Sequence, residues 1–105
     1  MTLKIGLFCS GGMSTSLVGS KMQKVYDAAG RDVEVSASDF SMIDELGDEL
    51  DVILIAPQIS WAYDQVVEQH PNTKVIALSM AEFGQMNGQT IVDKLDKEGV
   101  TTDGK

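Results

Sequence analysis

The residues best suited to chemistry lie in one short segment that begins at Cys9, the only cysteine of the 105-residue chain. Residues 9–16 read Cys-Ser-Gly-Gly-Met-Ser-Thr-Ser, and they follow an apolar run at 3–8. The backbone N–H groups of a glycine-rich turn and of the first turn of a helix favour an anion, here a thiolate or a phosphoryl group. We therefore predict that Cys9 is a nucleophile at the start of a phosphate-binding loop.

The predicted phosphate ligands are the backbone N–H groups and the hydroxyls that follow Cys9. They belong to Ser10, Gly11, Gly12, Met13, Ser14, Thr15 and Ser16. No Lys or Arg stands among residues 9–16, and Thr15 occupies the place of the arginine with which a Cys-x5-Arg phosphatase clamps phosphate. A phosphoryl group held by N–H donors alone suits temporary storage and transfer better than hydrolysis.

Other functions are compatible with a cysteine in such a loop. A small cysteine-dependent phosphatase or an arsenate reductase stays open, although the missing arginine and the lack of a second thiol disfavour both. A domain that binds anions or partner proteins without thiol chemistry also stays open, as does a cysteine that packs as a small apolar side chain. The glycine patterns of nucleotide and dinucleotide sites do not occur after the first apolar run.

The composition is that of an acidic globular chain. Its net charge is −8 and 43% of its residues are hydrophobic. Such a surface repels nucleic acid and anionic lipid, so neither is expected as a partner. One cysteine forms no internal disulfide, and no apolar run approaches the roughly 20 residues of a membrane-spanning helix. We expect a cytoplasmic monomer with one domain over 1–105, whose tail at 100–105 frays.

Hydrophobic periodicity predicts an alternation of strands and helices. Strands are predicted at 3–8, 32–37, 52–56 and 74–78, helices at 14–29, 43–50, 60–70 and 90–98, and a loop at 79–88. The second strand alternates polar and apolar residues and is expected at a sheet edge, whereas the third is continuously apolar and is expected in the centre. This order predicts an α/β fold, a four-stranded parallel sheet with helices on both faces.

The topology of such a sheet predicts where a ligand binds. Ligands of open parallel sheets bind outside the carboxyl ends of the strands. The segments 9–16, 57–60 and 79–88 all follow strands, so we expect them to meet at that edge, with the first carrying the chemistry and the others forming its walls.

Three stretches of the chain are similar to those of one family. Residues 7–17 read Leu-Phe-Cys-Ser-Gly-Gly-Met-Ser-Thr-Ser-Leu, residues 56–59 read Ala-Pro-Gln-Ile, and residues 83–88 read Phe-Gly-Gln-Met-Asn-Gly. They resemble the enzyme IIB components of the bacterial phosphoenolpyruvate-dependent sugar phosphotransferase system, in the lactose/cellobiose class. The first stretch resembles the cellobiose and diacetylchitobiose branch, which has alanine where Gly11 stands, and not the Cys-Ala-Gly-Ser-Gly-Thr-Ser loop of the lactose type.

The resemblance implies a phosphoryl carrier. Enzyme IIA would give the phosphoryl group of its phosphohistidine to Cys9, which would pass it to a sugar bound by the membrane-embedded enzyme IIC. The sugar would be of the cellobiose, β-glucoside or chitobiose type. The resemblance implies no cofactor and no metal, and it places the chain in the cytoplasm, at the inner face of the membrane through the transporter.

A second group of residues is expected to touch partner proteins. It consists of Met13, Pro57, Gln58 and Phe83. An exposed methionine or aromatic side chain at the loop would supply an anchor for a partner, and Gln58 follows a strand end, from where its amide could also reach the phosphoryl group. For Phe83 a place in the core is the favoured interpretation over a contact with a partner. His70 precedes Pro71 at a predicted helix end, where a histidine commonly complements the helix dipole, so we expect no catalytic role for it.

Overall fold

The fold is built on a parallel sheet whose strands alternate with helices. The structure, a computed structural model, describes residues 2–10, 13–85 and 87–100, and of Met13 and Ser14 the backbone only. Its strands are β1 (Leu3–Cys9), β2 (Val33–Asp39), β3 (Val52–Ile55) and β4 (Lys74–Ala77). Its helices are α1 (Met13–Ala28), α2 (Ile43–Leu46), α3 (Tyr63–Gln69), α4 (Met80–Gly84) and α5 (Gly88–Lys97), with 3₁₀ turns at Phe40–Met42, Gly47–Glu49 and Pro57–Ala62.

The strand order is β2-β1-β3-β4, and every pairing is parallel. The predicted α/β architecture is confirmed, including β2 at an edge and β3 in the interior. All four residues of β3 are buried, as expected of a strand that is covered on both faces. β1 runs one residue further than predicted, because Cys9 still pairs with Asp39 of β2.

The side chains of β1 and β3 divide between two apolar cores, one on each face of the sheet. Leu7 and Cys9 of β1 and Leu54 of β3 belong to the core beneath α1 and α5. Phe8 and Ile55 belong to the core on the opposite face, beneath α2 and α3. Successive strand residues point to opposite faces, so this period of two places the Cys9 side chain on the α1 side of the sheet.

The predicted loop at 79–88 is wrong, because α4 lies within it and α5 begins two residues before its predicted start. The Ser79 hydroxyl accepts from Glu82 N–H at 3.1 Å, and the Glu82 carboxylate accepts from Ser79 N–H at 2.8 Å, which is a complete capping box. Asn87 caps α5 by accepting from the Gln89 N–H at 3.0 Å. These caps satisfy free N–H groups at the starts of both helices, and α4, with five residues, is too short to show helical periodicity.

Tyr26 is fully buried near the end of α1, and its hydroxyl has no hydrogen-bond partner within the described residues. The Arg31 guanidinium lies 4.8 Å from the centre of its ring and also pairs with Asp96 of α5 at 2.8 Å. Burial raises the pKa of Tyr26 to about 12, with Arg31 lowering it and Asp96 raising it to smaller extents. The phenol is therefore held neutral in the folded chain.

This buried phenol should make the fold sensitive to alkali. An unfolded tyrosine ionises near pH 10, whereas folded Tyr26 ionises near pH 12, so stability is complete below pH 10 and falls as the pH rises towards 12. The two-unit difference corresponds to a loss of about 2.7 kcal/mol in the free energy of unfolding. We expect Tyr26→Phe to abolish this loss without lowering stability at neutral pH, since no hydrogen bond is removed.

Urea unfolding at a series of pH values from 8 to 12 would measure the effect, and the chain offers a matched control. Tyr63, the other tyrosine, is only partly buried, and its hydroxyl lies 3.5 Å from the Val75 carbonyl oxygen. Tyr63→Phe should leave the alkaline loss in place. Equal losses in the wild type and in Tyr26→Phe would contradict the prediction.

Candidate active site

The carboxyl ends of the strands bring four segments to one edge of the sheet. Cys9 ends β1, and β2 is followed directly by the turn Phe40–Met42. Gln58 lies in the turn after β3, and α4 follows β4. Because all the strands are parallel, these segments share an edge, as the order of elements predicted. This edge is the candidate active site.

Cys9 is more enclosed than its position beside a loop suggested. The residue is 3% exposed and packs in the core beneath α1 and α5. The reason is that β1 includes Cys9, so the strand's alternation turns its side chain inward. The sulfur is not surrounded by apolar groups alone, because it contacts a polar side chain from the turn that follows β3.

That polar contact is between Cys9 and Gln58. The thiol Sγ lies 3.6 Å from Gln58 Oε1, a donor–acceptor distance suited to the large sulfur atom. The backbone around Gln58 is held firmly, since the Ala56 N–H donates to the Phe8 carbonyl at 3.0 Å and the Ile59 N–H donates to the Ala56 carbonyl at 3.0 Å. Pro57 stands at the first position of the turn, where its fixed φ fits, and Ile59 is buried. Gln58 itself is exposed.

The first turn of α1 follows Cys9 closely along the chain. The helix begins at Met13 and has 16 residues, so its first N–H groups lack partners within the helix and carry the positive end of its dipole. Ser10 and Ser16 are exposed, whereas Thr15 is 1% exposed. The Thr15 hydroxyl has no hydrogen-bond partner within the described part of the chain. A buried hydroxyl without a partner is unfavourable, and an incoming acceptor would relieve that cost.

Several predicted site features lie outside the described residues or side chains. Gly11 and Gly12 are outside the described residues, as is Met86 of the third similar stretch. The side chains of Met13 and Ser14 are also outside what is described. The predicted phosphate-binding role of residues 10–16 therefore stays a prediction.

The structure places some of the predicted partner-contact residues at the surface and one of them in the core. Gln58 is exposed and Pro57 is half-buried, so both border the surface. Phe83 is 4% exposed and packs in the core beneath α1 and α5, so its side chain is not on the surface and its expected partner contact is corrected. The reason is that α4 forms there in place of a loop, and its one buried residue is Phe83.

An aromatic pair at this edge, an exposed Trp61 against a partly buried Phe40, escaped the sequence argument. Trp61 is 70% exposed, and its ring meets that of Phe40 edge-to-face with 5.5 Å between the ring centres. Phe40 follows β2 and Trp61 belongs to the turn after β3, so only the sheet topology brings them together. The signal in the sequence was the position of each ring just after a strand. Large exposed aromatic side chains are favoured as anchors in protein interfaces.

The charge beside the site is negative. Asp39, the residue opposite Cys9 in β2, accepts from the Ser41 N–H at 2.9 Å. Hydrogen bonds from the Ser41 side chain and backbone hold the pKa of Asp39 below its usual value. This carboxylate would disfavour a free dianion nearby.

His70 lies away from this edge. It follows α3 and precedes β4, so it belongs to the edge formed by the amino ends of the strands. Its buried ring lies between two exposed carboxylates, with Nε2 3.7 Å from an oxygen of Asp44 and Nδ1 3.6 Å from an oxygen of Asp48. The placement separates His70 from the candidate chemistry of Cys9.

The described residues include neither a cluster of metal-binding side chains nor a helix that could span a membrane. No three or more His, Cys, Asp or Glu side chains among residues 2–10, 13–85 and 87–100 are grouped so as to hold a metal ion. Within the same residues, no helix has the length and apolar character needed to cross a membrane.

Comparison with known proteins places the chain among sugar-transport components. Residues 4–94 match the family described as "PTS system, Lactose/Cellobiose specific IIB subunit". The galactose-specific EIIB component of Lactococcus lactis subsp. cremoris (strain MG1363) is 32% identical over 95 residues, covering 84% of this chain and 88% of that protein. The cellobiose-specific EIIB component of Lactococcus lactis subsp. lactis (strain IL1403) gives the same identity and coverage.

Solved structures agree with the sequence comparison. The solution structure of the cellobiose-specific IIB component from Borrelia burgdorferi superimposes with a TM-score of 0.72 at 25% identity, covering 89% of this chain and 87% of that one. The lactose-specific IIB domain from Streptococcus pneumoniae gives a TM-score of 0.82 over 92% of this chain and 97% of that one, and at 14% identity it supports the fold alone. The resemblance stated from the sequence is confirmed: this chain belongs to the lactose/cellobiose-specific IIB family of the phosphotransferase system.

Proposed function

We propose that this IIB chain carries a phosphoryl group on Cys9. The group comes from the phosphohistidine of a IIA partner and goes to a sugar hydroxyl held by a membrane IIC component. The observation that carries the proposal is the position of Cys9, which ends β1 a few residues before the N-terminus of α1. There a phosphorylated sulfur would meet free N–H groups and the positive end of a helix dipole.

The first transfer balances without a metal or other cofactor. The sulfur of Cys9 forms an S–P bond as the N–P bond of the phosphohistidine breaks, and the electron pair of that bond stays on the imidazole nitrogen. The thiol proton is matched by one gained by that imidazole. In the second transfer, the sugar oxygen forms the new bond to phosphorus, the S–P bond breaks, and the sulfur regains a proton as the hydroxyl loses one. Phosphoryl transfer of this kind depends on in-line positioning and charge stabilisation.

The residues around Cys9 favour transfer over hydrolysis. Residues 9–16 contain no Lys or Arg, and Thr15 stands where a Cys-x5-Arg phosphatase has its arginine. Thr15 also has the buried, unpartnered hydroxyl that an acceptor oxygen would satisfy. A small cysteine-dependent phosphatase is therefore the disfavoured alternative.

The partners would dock at the edge that bears Cys9. Met13, Pro57 and Gln58 border this site along the chain, and the Phe40–Trp61 pair adds exposed aromatic surface. A net charge of −8 favours a docking face of opposite sign on a partner. We expect the chain to act in the cytoplasm, at the inner face of the membrane while it is bound to IIC. We expect the sugar to be of the cellobiose, β-glucoside or chitobiose type.

Incubation with a phosphorylated cellobiose-type IIA protein tests this function. Intact mass spectrometry should show the gain of one phosphoryl group, and peptide mapping should assign it to Cys9. p-Nitrophenyl phosphate, offered to the same preparation, should not be turned over. Unlabelled protein in the presence of a matched, phosphorylated IIA, or rapid ester hydrolysis that requires Cys9, would reject the carrier function.

A further inference from the structure

The side chain of Gln58 is the only polar group for which the structure gives a contact with the Cys9 sulfur within the described residues. The distance from Sγ to Oε1 is 3.6 Å, and the two residues are 49 positions apart in the chain. A thiol is a hydrogen-bond donor and a carboxamide oxygen is an acceptor. The arrangement is therefore a hydrogen bond that requires the protonated sulfur. Cys9 is buried whereas Gln58 is exposed, so this contact joins the enclosed sulfur to a side chain at the surface.

The backbone of Gln58 is fixed while its side chain is free to turn. Pro57 before it has a locked φ, and Ile59 after it is buried and bonded through its N–H to the Ala56 carbonyl. The Gln58 side chain is exposed, and within the described residues its one side-chain hydrogen bond is the one from Cys9. Its terminal amide can therefore rotate without disturbing the fold.

Phosphorylation replaces the hydrogen-bond donor at Cys9 with acceptors. The S–H donor disappears, and phosphoryl oxygens, which are strong acceptors, take its place. The Oε1 atom would then face like acceptors, whereas rotation of the carboxamide presents its NH₂ group, which has two donors. One side chain thus suits both states of the carrier.

We propose that Gln58 serves Cys9 in both states, as a cover and as a phosphoryl ligand. In the unloaded chain its Oε1 accepts a hydrogen bond from the thiol and covers the sulfur. In the loaded chain the amide has turned, and Nε2 donates to a phosphoryl oxygen. The second half rests on the proposed carrier function, whereas the first does not.

The unloaded half is tested by infrared spectroscopy of the S–H stretch, which is a single band because the chain has one cysteine. Gln58→Met keeps the length of the side chain but removes the acceptor, so the band should move to higher frequency. Gln58→Glu replaces the amide oxygen with a carboxylate, which is a stronger acceptor, so its band should move to lower frequency and not to higher. A band unchanged in Gln58→Met overturns the proposal.

The loaded half is tested by the phosphorylated fraction at equilibrium with a IIA partner. A hydrogen bond to a charged acceptor contributes enough that its loss in Gln58→Met should lower the equilibrium constant about tenfold. Gln58→Glu should lower it further, because it removes the donor and adds a like charge. Gln65→Glu, at an exposed position of α3, adds the same charge and should change neither measurement.

The outcomes separate this proposal from the carrier function. If the wild type is phosphorylated and both Gln58 variants reach the same phosphorylated fraction as the wild type, the carrier function stands. The role of Gln58 as a phosphoryl ligand is then refuted. If the wild type accepts no phosphoryl group, the carrier function fails, the loaded half fails with it, and the S–H band alone decides whether Gln58 covers the thiol. Thermal unfolding of each variant confirms that the fold is intact.

Discussion

A chain carrying Cys9→Ala is expected to accept no phosphoryl group from a phosphorylated IIA protein. Alanine has no atom that can form the S–P bond, and loss of a covalent nucleophile commonly lowers a rate by roughly 10³-fold or more. The substitution removes one buried sulfur atom, which should cost on the order of 1 kcal/mol in the free energy of unfolding. The variant should therefore fold and fail only in chemistry, as measured by a time course of intact mass.

Two controls make the result specific to the sulfur. Cys9→Ser keeps the size of the side chain and offers a hydroxyl, which is a much weaker nucleophile than a thiol, so it too should remain unlabelled. His70 is the only histidine of the chain and could accept the group chemically, but it lies at the opposite edge of the sheet. Full labelling of Cys9→Ala would place the acceptor elsewhere, and His70→Gln would then identify it.

Gly88→Ala is expected to destabilise the fold severely although it adds a single methyl group. Gly88 is the first residue of α5 and is buried against α1. A Cβ atom there would lie 2.6 Å from the carbonyl carbon and oxygen of Lys21 and 2.7 Å from the amide nitrogen of Met22. These are backbone atoms of a helix interior, so they cannot move aside as a side chain does.

The expected cost of this substitution is at the upper end for overpacking, about 3 kcal/mol or more. Separation of α5 from α1 would also loosen Ile91 and Leu95, which are fully buried. For a domain of this length, such a loss lowers the midpoint of thermal unfolding by about 10 °C or more. Differential scanning calorimetry measures it directly.

Gly84→Ala provides the matched comparison, because it is the same substitution in the neighbouring helix α4. No atom lies within 4 Å of a Cβ built at Gly84. Alanine there should stabilise the chain by about 0.5–1 kcal/mol, since it restricts the unfolded chain and favours the helix. Opposite signs for the two substitutions are expected. Equal effects would mean that the close approach of α5 to α1 is not tight in solution.

Most of the architecture could be predicted because its determinants are local. The continuous apolar residues of β3 and the alternation in β2 fixed their places in the sheet, and the apolar spacing of α1 fixed its buried face. α4 was missed for a local reason as well. Four or five residues do not complete enough turns to display a helical period, and the Ser79–Glu82 capping box was the signal that would have found it.

Some features of the site are likewise set by consecutive residues, and others by contacts between residues that are far apart in the chain. The segment after β1, with its one thiol and no cation, consists of consecutive residues, and it led to the prediction of Cys9 as the phosphoryl acceptor and to the family. The side chains that contact the residues at this edge lie far away in the sequence and cannot be identified from this segment. Gln58 reaches Cys9 because β3 lies beside β1, and Phe40 reaches Trp61 because the turns after β2 and β3 share an edge.

The sequence by itself determined the alternation of strands and helices, the parallel sheet and the family of this chain, and it predicted Cys9 as the nucleophile. Only the tertiary structure decided that the Cys9 thiol is enclosed and in contact with Gln58, that Phe83 lies in the core, and that Gly88 must remain without a side chain. The physical reason is that periodicity and turn chemistry act between near neighbours in the chain. Enclosure and close contact depend instead on the strand register and helix packing that join residues far apart in it.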